Sequence, residues 1–298
     1  MSRKMSKKQA NQFAKYAKKY PLATLIVVII AVVAMLFTRG GSDKPTVTAP
    51  MDGLYVYYID VGQGDSELIS CKGEYMLIDA GVPSAGDTVV DYLNSLGVKK
   101  LDYVVCTHGH ADHCGGLDDV IESFEVGTIF TSPYPGDAPA YEHFAETAES
   151  LSLALEVPDE GAEYRLGDAY FRFIGPLSDH KDVNDDSLVM RLTYGDTSFL
   201  FTGDMTRTAE KELLESGADV KCDVLKVGHH GSSGSTSYRF LYEAEPKIAV
   251  ISCGKNNDYG HPHEETLSRL SDAGVTVYRT DQLGTVVIYS DGMTVKKA

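Results

Sequence analysis

The stretch Thr107-His108-Gly109-His110-Ala111-Asp112-His113-Cys114-Gly115-Gly116 directly follows an apolar run, residues 101–106, that is typical of a buried strand. The first two histidines, at i and i+2, leave the strand end on the same side, so both imidazoles can reach one cation. The aspartate and the third histidine follow where the chain turns, and they can reach a second cation nearby. Three histidines and an aspartate within six residues therefore predict a metal site.

A carboxylate and a pair of histidines end two later apolar strands. Asp204 follows Leu200-Phe201-Thr202-Gly203, where its carboxylate is placed to bridge two cations. His229 and His230 follow Leu225-Lys226-Val227-Gly228. Because adjacent residues of an extended chain point in opposite directions, one histidine is expected to bind metal and the other to act as an acid/base or supporting group. We assign His229 to the metal and His230 to catalysis, and the spacing leaves the reverse assignment open.

Further polar residues near these stretches are candidates for substrate contacts. His261, within Tyr259-Gly260-His261-Pro262, is a candidate phosphate contact or proton donor. Ser232 and the backbone amides of the turn that begins at Gly231 can donate to phosphate oxygens. His143, in a helical pattern, and His180, in a polar loop, are interpreted as ordinary surface histidines.

The donor set indicates which cations to expect. Neutral imidazoles combined with a few carboxylates suit zinc, with manganese as the alternative. A zinc-bound water becomes hydroxide near neutral pH, and two metals can clamp the attacking and the leaving oxygen together. The sequence therefore predicts two divalent cations. The predicted metal ligands are His108, His110, Asp112, His113, Asp204 and His229.

Charge is distributed unevenly along the 298 residues, whose formal net charge is −16. Residues 1–50 hold nine Lys and Arg against one acid, Asp43, so the rest of the chain is strongly acidic. General polyanion binding through a basic surface is hard to reconcile with such a body. A nucleic-acid substrate would have to be gripped locally or through metal ions.

Residues 21–38 form an uncharged, apolar segment that is long enough to cross a bilayer core of about 30 Å as a helix. Seven positive charges precede the segment and no Ala-x-Ala cleavage site follows it, which predicts an uncleaved single-pass anchor in the cell membrane. Residues 1–20 are then a basic cytoplasmic N-terminus, residues 39–50 a linker, and residues 51–298 a folded extracellular domain.

Within residues 51–298, alternating or apolar runs predict strands, and amphipathic patterns bounded by Pro, Gly, Ser or Thr predict helices. Early strands come in hairpins and later strands alternate with helices, which favours two sheets sandwiched between helical layers. Strands are predicted at 54–58, 67–70, 75–78, 103–106, 170–174, 188–193, 198–201, 224–227, 248–251, 275–278 and 285–289. Helices are predicted at 88–96, 140–153, 207–215, 236–242 and 264–273.

The chain resembles the metallo-β-lactamase superfamily through His108-x-His110-x-Asp112-His113 and Asp204. More narrowly, it is similar to the metallo-hydrolase domain of the ComEC/Rec2 competence family. The matching stretches are Ile59-Asp60-Val61-Gly62-Gln63-Gly64-Asp65-Ser66, Asn184-x-x-Ser187-Leu188-Val189, Leu200-Phe201-Thr202-Gly203-Asp204, Lys226-Val227-Gly228-His229-His230-Gly231-Ser232 and Tyr259-Gly260-His261-Pro262. The resemblance implies an α/β fold, a four-layer αββα sandwich, with the site at one edge of the two sheets.

The same resemblance implies hydrolysis of phosphodiesters, with nuclease action on DNA outside the membrane as the role proposed for the competence family. The sequence departs from the family pattern in two ways. It shows one hydrophobic span rather than a multi-spanning channel, and Asn184 stands near the point where a third histidine for the first metal is usual. The first metal is therefore expected to be bound weakly or by water. Asn184 itself is assigned to the substrate.

The expected function is that of a membrane-anchored, exported, metal-dependent hydrolase, a phosphodiesterase or nuclease that acts by attack of metal-bound hydroxide. The expected partners are the bilayer and a phosphodiester such as DNA. Two alternatives remain open: a non-catalytic binding or regulatory component of an envelope or DNA-uptake complex, and a hydrolase of esters, thioesters or lactams on the same fold. The predicted catalytic residues are Asp112, His230 and His261, and the predicted substrate contacts are Gly231, Ser232 and Asn184.

Overall fold

A computed structural model describes residues 49–159 and 161–298. The predicted cytoplasmic segment 1–20, the predicted anchor 21–38 and residues 39–48 of the predicted linker lie outside these described residues. None of the helices in the described part is both long and apolar enough to cross a bilayer. Ala49 is already packed against the domain, since it is buried and its N–H donates to the Leu96 carbonyl oxygen at 3.2 Å.

Strands and helices are numbered here in chain order. The strands are β1 (Leu54–Tyr58), β2 (Glu67–Cys71), β3 (Glu74–Ile78), β4 (Lys100–Cys106), β5 (Glu125–Thr131), β6 (Leu155–Glu156), β7 (Tyr164–Leu166), β8 (Ala169–Gly175), β9 (Val189–Tyr194), β10 (Thr197–Phe201), β11 (Val224–Lys226), β12 (Ile248–Ile251), β13 (Thr276–Arg279), β14 (Val286–Ser290) and β15 (Val295–Lys297). The helices are α1 (Gly86–Ser95), α2 (Ala111–Cys114), α3 (Leu117–Ser123), α4 (Pro139–Ser150), α5 (Arg207–Ser216), α6 (Tyr238–Ala244), α7 (Glu264–Asp272) and α8 (Thr280–Leu283).

Two β-sheets form the centre of the domain, in the orders β15-β14-β1-β2-β3-β4-β5-β6 and β13-β12-β11-β10-β9-β8-β7. One hydrophobic core lies between them and combines Val56 of the first sheet with Phe199 of the second. A second core packs α1, α3 and α4 on the first sheet, through residues such as Leu93 and Phe144. A third core packs α5, α6 and α7 on the second sheet. The prediction of two sheets between helical layers is confirmed.

Parallel pairing brings the polar loops to one edge of each sheet. In the first sheet β3, β4 and β5 run parallel, and in the second sheet β10, β11 and β12 do so. The loops after the carboxyl ends of parallel strands share an edge, which is where ligand sites of such sheets usually form. His113, after β4, lies 3.2 Å from Asp204, after β10, so the two edges form one site.

Candidate metal centre

The predicted metal ligands converge on one cavity of about 340 Å³. Its lining residues in the described chain are Gln63, His110, Ala111, Asp112, Asn184, Asp204, His229, His230, Tyr259 and His261. His108 and His113 are fully buried. Both lie next to the cavity wall, since His108 Nε2 is 3.2 Å from His110 Nδ1 and His113 Nε2 is 3.2 Å from Asp204 Oδ1. All residues predicted to bind metal are thus brought together.

Two predicted substrate contacts are placed differently. Gly231 and Ser232 are not among the described residues that line the cavity. The Ser232 hydroxyl accepts a hydrogen bond from the Gly234 N–H at 3.3 Å, so it caps its own turn. Asn184, in contrast, lies on the cavity wall, and its Oδ1 is buried without a hydrogen-bond partner.

The first histidine stretch is fixed by the one-turn helix α2 and by a glycine that packs against it. Gly64 has a φ of 145°, and a Cβ there would lie 2.4 Å from the Asp112 carbonyl oxygen. The Asp65 N–H donates to the same oxygen at 3.1 Å. The loop of residues 62–65 is therefore held directly against the metal-binding stretch.

A buried carboxylate orients His113. Asp79, directly after β3, accepts hydrogen bonds from His113 Nδ1 at 2.8 Å, from the Thr107 N–H at 2.9 Å and from the Thr107 hydroxyl at 2.6 Å. Because Nδ1 donates to Asp79, Nε2, the atom that faces Asp204, is the nitrogen whose lone pair a cation can take in place of a proton. This is the tautomer that a metal ligand requires.

The second pair of histidines lies in a left-handed turn. The φ angles are 50° at His229, 52° at His230 and 85° at Gly231, so the prediction of an extended backbone at this pair is wrong. Both imidazoles face the same carboxylate, since Asp204 Oδ2 is 3.6 Å from His229 Nε2 and 3.5 Å from His230 Nε2. A Cβ at Gly231 would lie 2.5 Å from Pro262 Cβ, so the turn needs glycine there.

The two histidines of this turn differ in burial and support. His230 is buried, and its Nδ1 lies 3.1 Å from the Ser252 carbonyl oxygen and 3.0 Å from Asp65 Oδ1. Its Nε2 lies 3.3 Å from Asp112 Oδ2. The His229 side chain is 27% exposed and lies on the cavity wall. His230 is therefore fixed in place, and His229 is more open to solvent.

A buried ion pair lies behind His230. Lys226 Nζ is 2.6 Å from Asp65 Oδ2 and donates to the Val227 carbonyl oxygen at 3.0 Å. Burial lowers the pKa of Lys226, but the charges of Asp65 and Glu67 outweigh it and raise the pKa above its ordinary value. Burial and the charge of Asp65 raise the pKa of Glu67 well above its usual range. Burial opposes ionisation of Asp65, but the charges of Lys226 and His230 outweigh it and lower the pKa of Asp65, so this carboxylate is charged behind His230.

The carboxylates and the buried histidine rings of the centre shift each other's pKa values. Burial opposes ionisation of Asp204, but the charges of His230 and His113 outweigh it and hold the pKa of Asp204 well below its usual range. Burial likewise lowers the pKa of His230, whereas the charges of Asp204 and Asp65 raise it to about 10. Four carboxylates, those of Asp65, Asp79, Asp112 and Asp204, therefore lie against the rings of His113 and His230.

Unpaired buried atoms test whether these residues fit a metal. His113 Nε2, Asp204 Oδ1 and His230 Nε2 are buried without a hydrogen-bond partner. An unpaired buried polar atom costs about 1–3 kcal/mol, so each of these atoms needs a partner. Together with Asp65 the same three residues offer ligand atoms within 4.8 Å of one another. Imidazole nitrogens and carboxylate oxygens in such a cluster fit a divalent transition metal.

His108 and His110 form the other side of the centre. His108 Nδ1 lies 3.1 Å from the Thr107 hydroxyl and 3.3 Å from the Ser187 hydroxyl, and Ser187 Oγ accepts from the Asp204 N–H at 3.0 Å. Burial and the charge of His113 lower the pKa of His108 well below its ordinary value. The ring is therefore neutral and can offer Nε2 to a cation.

His261 lies across the cavity from Asp204. Its ring centroid is 5.6 Å from that of His229 and 6.1 Å from that of His230. Burial and the charges of His230 and His229 lower the pKa of His261 to about 4, so its ring is neutral at pH 7. Its Nδ1 is buried without a partner.

The structure places His143 and His180, both predicted to be surface histidines, in different environments. His143 is exposed beside Asp118, as predicted for a surface histidine. The prediction for His180 is wrong: its side chain is only 10% exposed and lies between Asp186, 2.8 Å from Nδ1, and Glu212, 2.9 Å from Nε2. The loop folds back on α5, and sequence polarity alone does not reveal that contact.

Sequence reasoning did not assign roles to five residues that build the centre, namely Gln63, Asp65, Asp79, Lys226 and Tyr259. For two of these residues the sequence pattern could have indicated a role. Asp79 ends an apolar strand, as Asp204 does, and Lys226 is a lone charge inside an apolar strand. Tyr259 had no signal of its own, because an exposed tyrosine in a loop is common.

Comparison with known proteins agrees with this geometry. The profile of the Metallo-beta-lactamase superfamily matches residues 59–255. The chain is 34% identical over 247 residues to ComE operon protein 3 of Bacillus subtilis (strain 168), which covers 76% of this chain and 32% of that protein. It is 31% identical over 281 residues to Competence protein ComA of Neisseria gonorrhoeae, with 89% and 38% covered. The chain thus spans about a third of the length of these curated relatives.

Solved structures agree in fold. The metallo-beta-lactamase fold protein YhfI from Bacillus subtilis matches with a TM-score of 0.52 and 13% identity over 82% of this chain and 100% of that one. Tm1679, a metal-dependent hydrolase of the beta-lactamase superfamily, matches with a TM-score of 0.52 and 14% identity over 76% of this chain and 95% of that one. At such identities the likeness shows the fold alone.

Proposed function

We propose that this chain, which belongs to the metallo-beta-lactamase superfamily, is a metal-dependent phosphodiesterase or nuclease. The observation that carries the proposal is the clustering of three buried atoms that have no hydrogen-bond partner: His113 Nε2, Asp204 Oδ1 and His230 Nε2. A relative that is named a competence protein favours DNA as the phosphodiester.

Two groups of side chains would hold the cations. The inner group is Asp112, His113 and His230, the outer group is His108 and His110, and Asp204, which lies against the inner group, is the predicted bridge between the two. His229 as a ligand stays a prediction, and the buried, doubly supported ring of His230 favours His230 in its place. When bound, divalent cations of this kind lower the pKa of water and stabilise charge on a phosphoryl oxygen.

Amides of the cavity wall would bind the phosphate. Gln63 Oε1 accepts a hydrogen bond from the Gly254 N–H at 3.1 Å, which leaves Gln63 Nε2 buried and without a partner. Gln63 Nε2 would donate to a phosphoryl oxygen, and the Asn184 side chain would do so from another part of the wall. Neither contact needs a positive side chain.

His229 would supply the proton to the leaving oxygen. A histidine that is neutral at pH 7, as His261 is, accepts a hydrogen bond more readily than it gives up a proton. His229 faces the cavity and is open enough to exchange its proton with solvent. His229→Ala should therefore slow hydrolysis of a poor leaving group by roughly a hundredfold to ten-thousandfold, and slow release of nitrophenolate much less. Equal losses on both leaving groups would contradict this role.

The proposal is tested with the purified full chain, loaded with zinc or manganese. It should hydrolyse bis(p-nitrophenyl) phosphate and at least one of single-stranded and duplex DNA, and leave nitrocefin intact. Hydrolysis of nitrocefin alone would favour the lactam hydrolase. Bound metal without hydrolysis of any of these substrates would favour the regulatory component.

We also propose that residues 21–38 anchor the chain and that the catalytic domain lies outside the cell. The uncharged segment and the seven preceding positive charges support this orientation. A protease added to intact cells, or to protoplasts where a wall shields the surface, should remove the domain. Digestion only after lysis would contradict export.

A further inference from the structure

Tyr259 is a large aromatic residue that the fold leaves open at the rim of the metal cavity. The residue is 66% exposed and belongs to the cavity wall. Its ring lies on that of His261, with centroids 5.6 Å apart and planes inclined by 21°. One face of the tyrosine is therefore covered by His261, and the side chain as a whole is mostly open to solvent.

The backbone around Tyr259 is fixed although the side chain is exposed. Its N–H donates to Asn257 Oδ1 at 3.1 Å, and His263 Nε2 lies 3.2 Å from its carbonyl oxygen. His263 Nδ1 accepts from the Ser233 N–H at 2.9 Å, so Nε2 carries the proton and donates to Tyr259. Asn257 Nδ2 donates to the His261 carbonyl oxygen. The backbone is fixed by these bonds and the ring lies on His261, so little conformational freedom is lost when a ligand packs on the ring.

The charges of the cavity indicate what kind of ligand suits this ring. None of the described residues that line the cavity is Lys or Arg, while Asp112 and Asp204 are among them. A nucleic acid cannot be gripped there through protein cations on its phosphates. Stacking of a neutral base on an aromatic ring does not depend on such cations and contributes about 1–3 kcal/mol per base.

We infer that Tyr259 forms a nucleobase subsite, on which a base next to the phosphodiester in the cavity stacks. The inference rests on the proposed phosphodiesterase function and narrows its substrate to nucleotides. Both faces of a base inside a duplex are covered by neighbouring bases, so the subsite takes a base from a single strand or from a strand end.

Two substrates with the same leaving group isolate this contact. Thymidine 5′-(p-nitrophenyl phosphate) carries a base, and methyl p-nitrophenyl phosphate does not. Tyr259→Ala should lower kcat/KM for the thymidine substrate by roughly 5-fold to 150-fold, equivalent to about 1–3 kcal/mol, and change it less than about twofold for the methyl substrate. Tyr259→Phe should keep the wild-type preference, because it retains the ring. Tyr242→Ala, at a tyrosine that is 76% exposed on α6, is the matched control.

A binding measurement separates failure of the subsite from failure of the proposed function. By calorimetry on the metal-loaded chain, thymidine 5′-monophosphate should bind more tightly than 2-deoxyribose 5-phosphate, and Tyr259→Ala should remove the difference. Equal affinity for the two ligands, or equal losses of kcat/KM on both substrates, would overturn the subsite. Base-dependent binding without hydrolysis of either substrate would support the subsite and contradict the proposed phosphodiesterase.

Discussion

The inner and outer groups of the centre are supported by different chemistry. In the inner group, a buried carboxylate stands behind each ring: Asp79 behind His113 and Asp65 behind His230. In the outer group, His108 has only hydroxyls behind it. A carboxylate makes an imidazole a stronger donor to metal, whereas a hydroxyl orients the ring without adding charge. We therefore expect the inner group to hold its cation more tightly than the outer group.

Asp204→Ala should remove the contrast between the two groups altogether, since the Asp204 carboxylate faces both histidines of the inner group and is the predicted bridge to the outer cation. Metal content should fall at both positions, and hydrolysis should drop by about a thousandfold or more. Elemental analysis after reconstitution measures the first effect, and circular dichroism checks the fold. Asp168→Ala, at an exposed aspartate, is the control. Full occupancy by two metals in Asp204→Ala would show that this carboxylate does not join the groups.

Asp65→Asn should weaken only the inner group. The substitution keeps the size of the side chain but removes the charge behind His230, and changes of this kind cost roughly 10-fold to 100-fold in metal affinity. Competition with a chromophoric chelator would resolve the two positions. Ser187→Ala, which removes a hydroxyl behind His108, should in comparison weaken the outer position more than the inner one. An equal loss at both positions in Asp65→Asn would contradict the division into two groups.

Asn184→His should strengthen the outer group. Asn184 is buried on the cavity wall, near the point where the superfamily resemblance places a third histidine. An added imidazole ligand should raise affinity for the outer cation by about tenfold, which equals about 1.4 kcal/mol. The same chelator competition measures the change, and affinity at the inner position should stay constant. No gain at the outer position would mean that residue 184 does not face that cation.

Much of the fold was readable from the sequence because most strands have a clear apolar pattern. Helices at 207–215 and 264–273 match α5 and α7 to within one residue at either end. Strand β5 lies between β4 and β6 in the first sheet, and the sequence analysis did not predict it. Gly127 interrupts the apolar pattern of β5. A Cβ at this position would lie 2.4 Å from the Asp102 carbonyl oxygen, so the close approach of the backbone requires glycine where strand propensity favours a β-branched residue.

The metal site was predicted where its candidate ligands are close together in the sequence. It was predicted less well where tertiary contacts orient the side chains. His108 to His113 are close in sequence, so their spacing was sufficient to predict a metal site. The orientation of His230 depends on a left-handed turn and on Asp65, which is far away along the chain. Those contacts are long-range consequences of sheet packing, and no local pattern encodes them.

The smallest effect concerns the segment that supports the outer group. His180 links residues 176–188, which carry Ser187, to Glu212 on α5. Burial lowers the pKa of His180, but its hydrogen bonds to Asp186 and Glu212 outweigh burial and raise the pKa above its ordinary value. Stability from this link is therefore fully present below the unfolded-state pKa of about 6.5 and is lost as pH rises through the folded-state pKa.

His180→Gln should thus lower the free energy of unfolding by about 1 kcal/mol or less at pH 6, since solvent screens part of the interaction. At pH 9 the difference from the wild type should shrink, because the wild-type histidine has then lost its proton as well. Urea unfolding at both pH values measures the two differences, and His143→Gln, at the exposed histidine beside Asp118, is the matched control. A difference that grows from pH 6 to pH 9 would mean that neutral His180 makes the stabilising contacts. The support of the outer group would then not depend on charge.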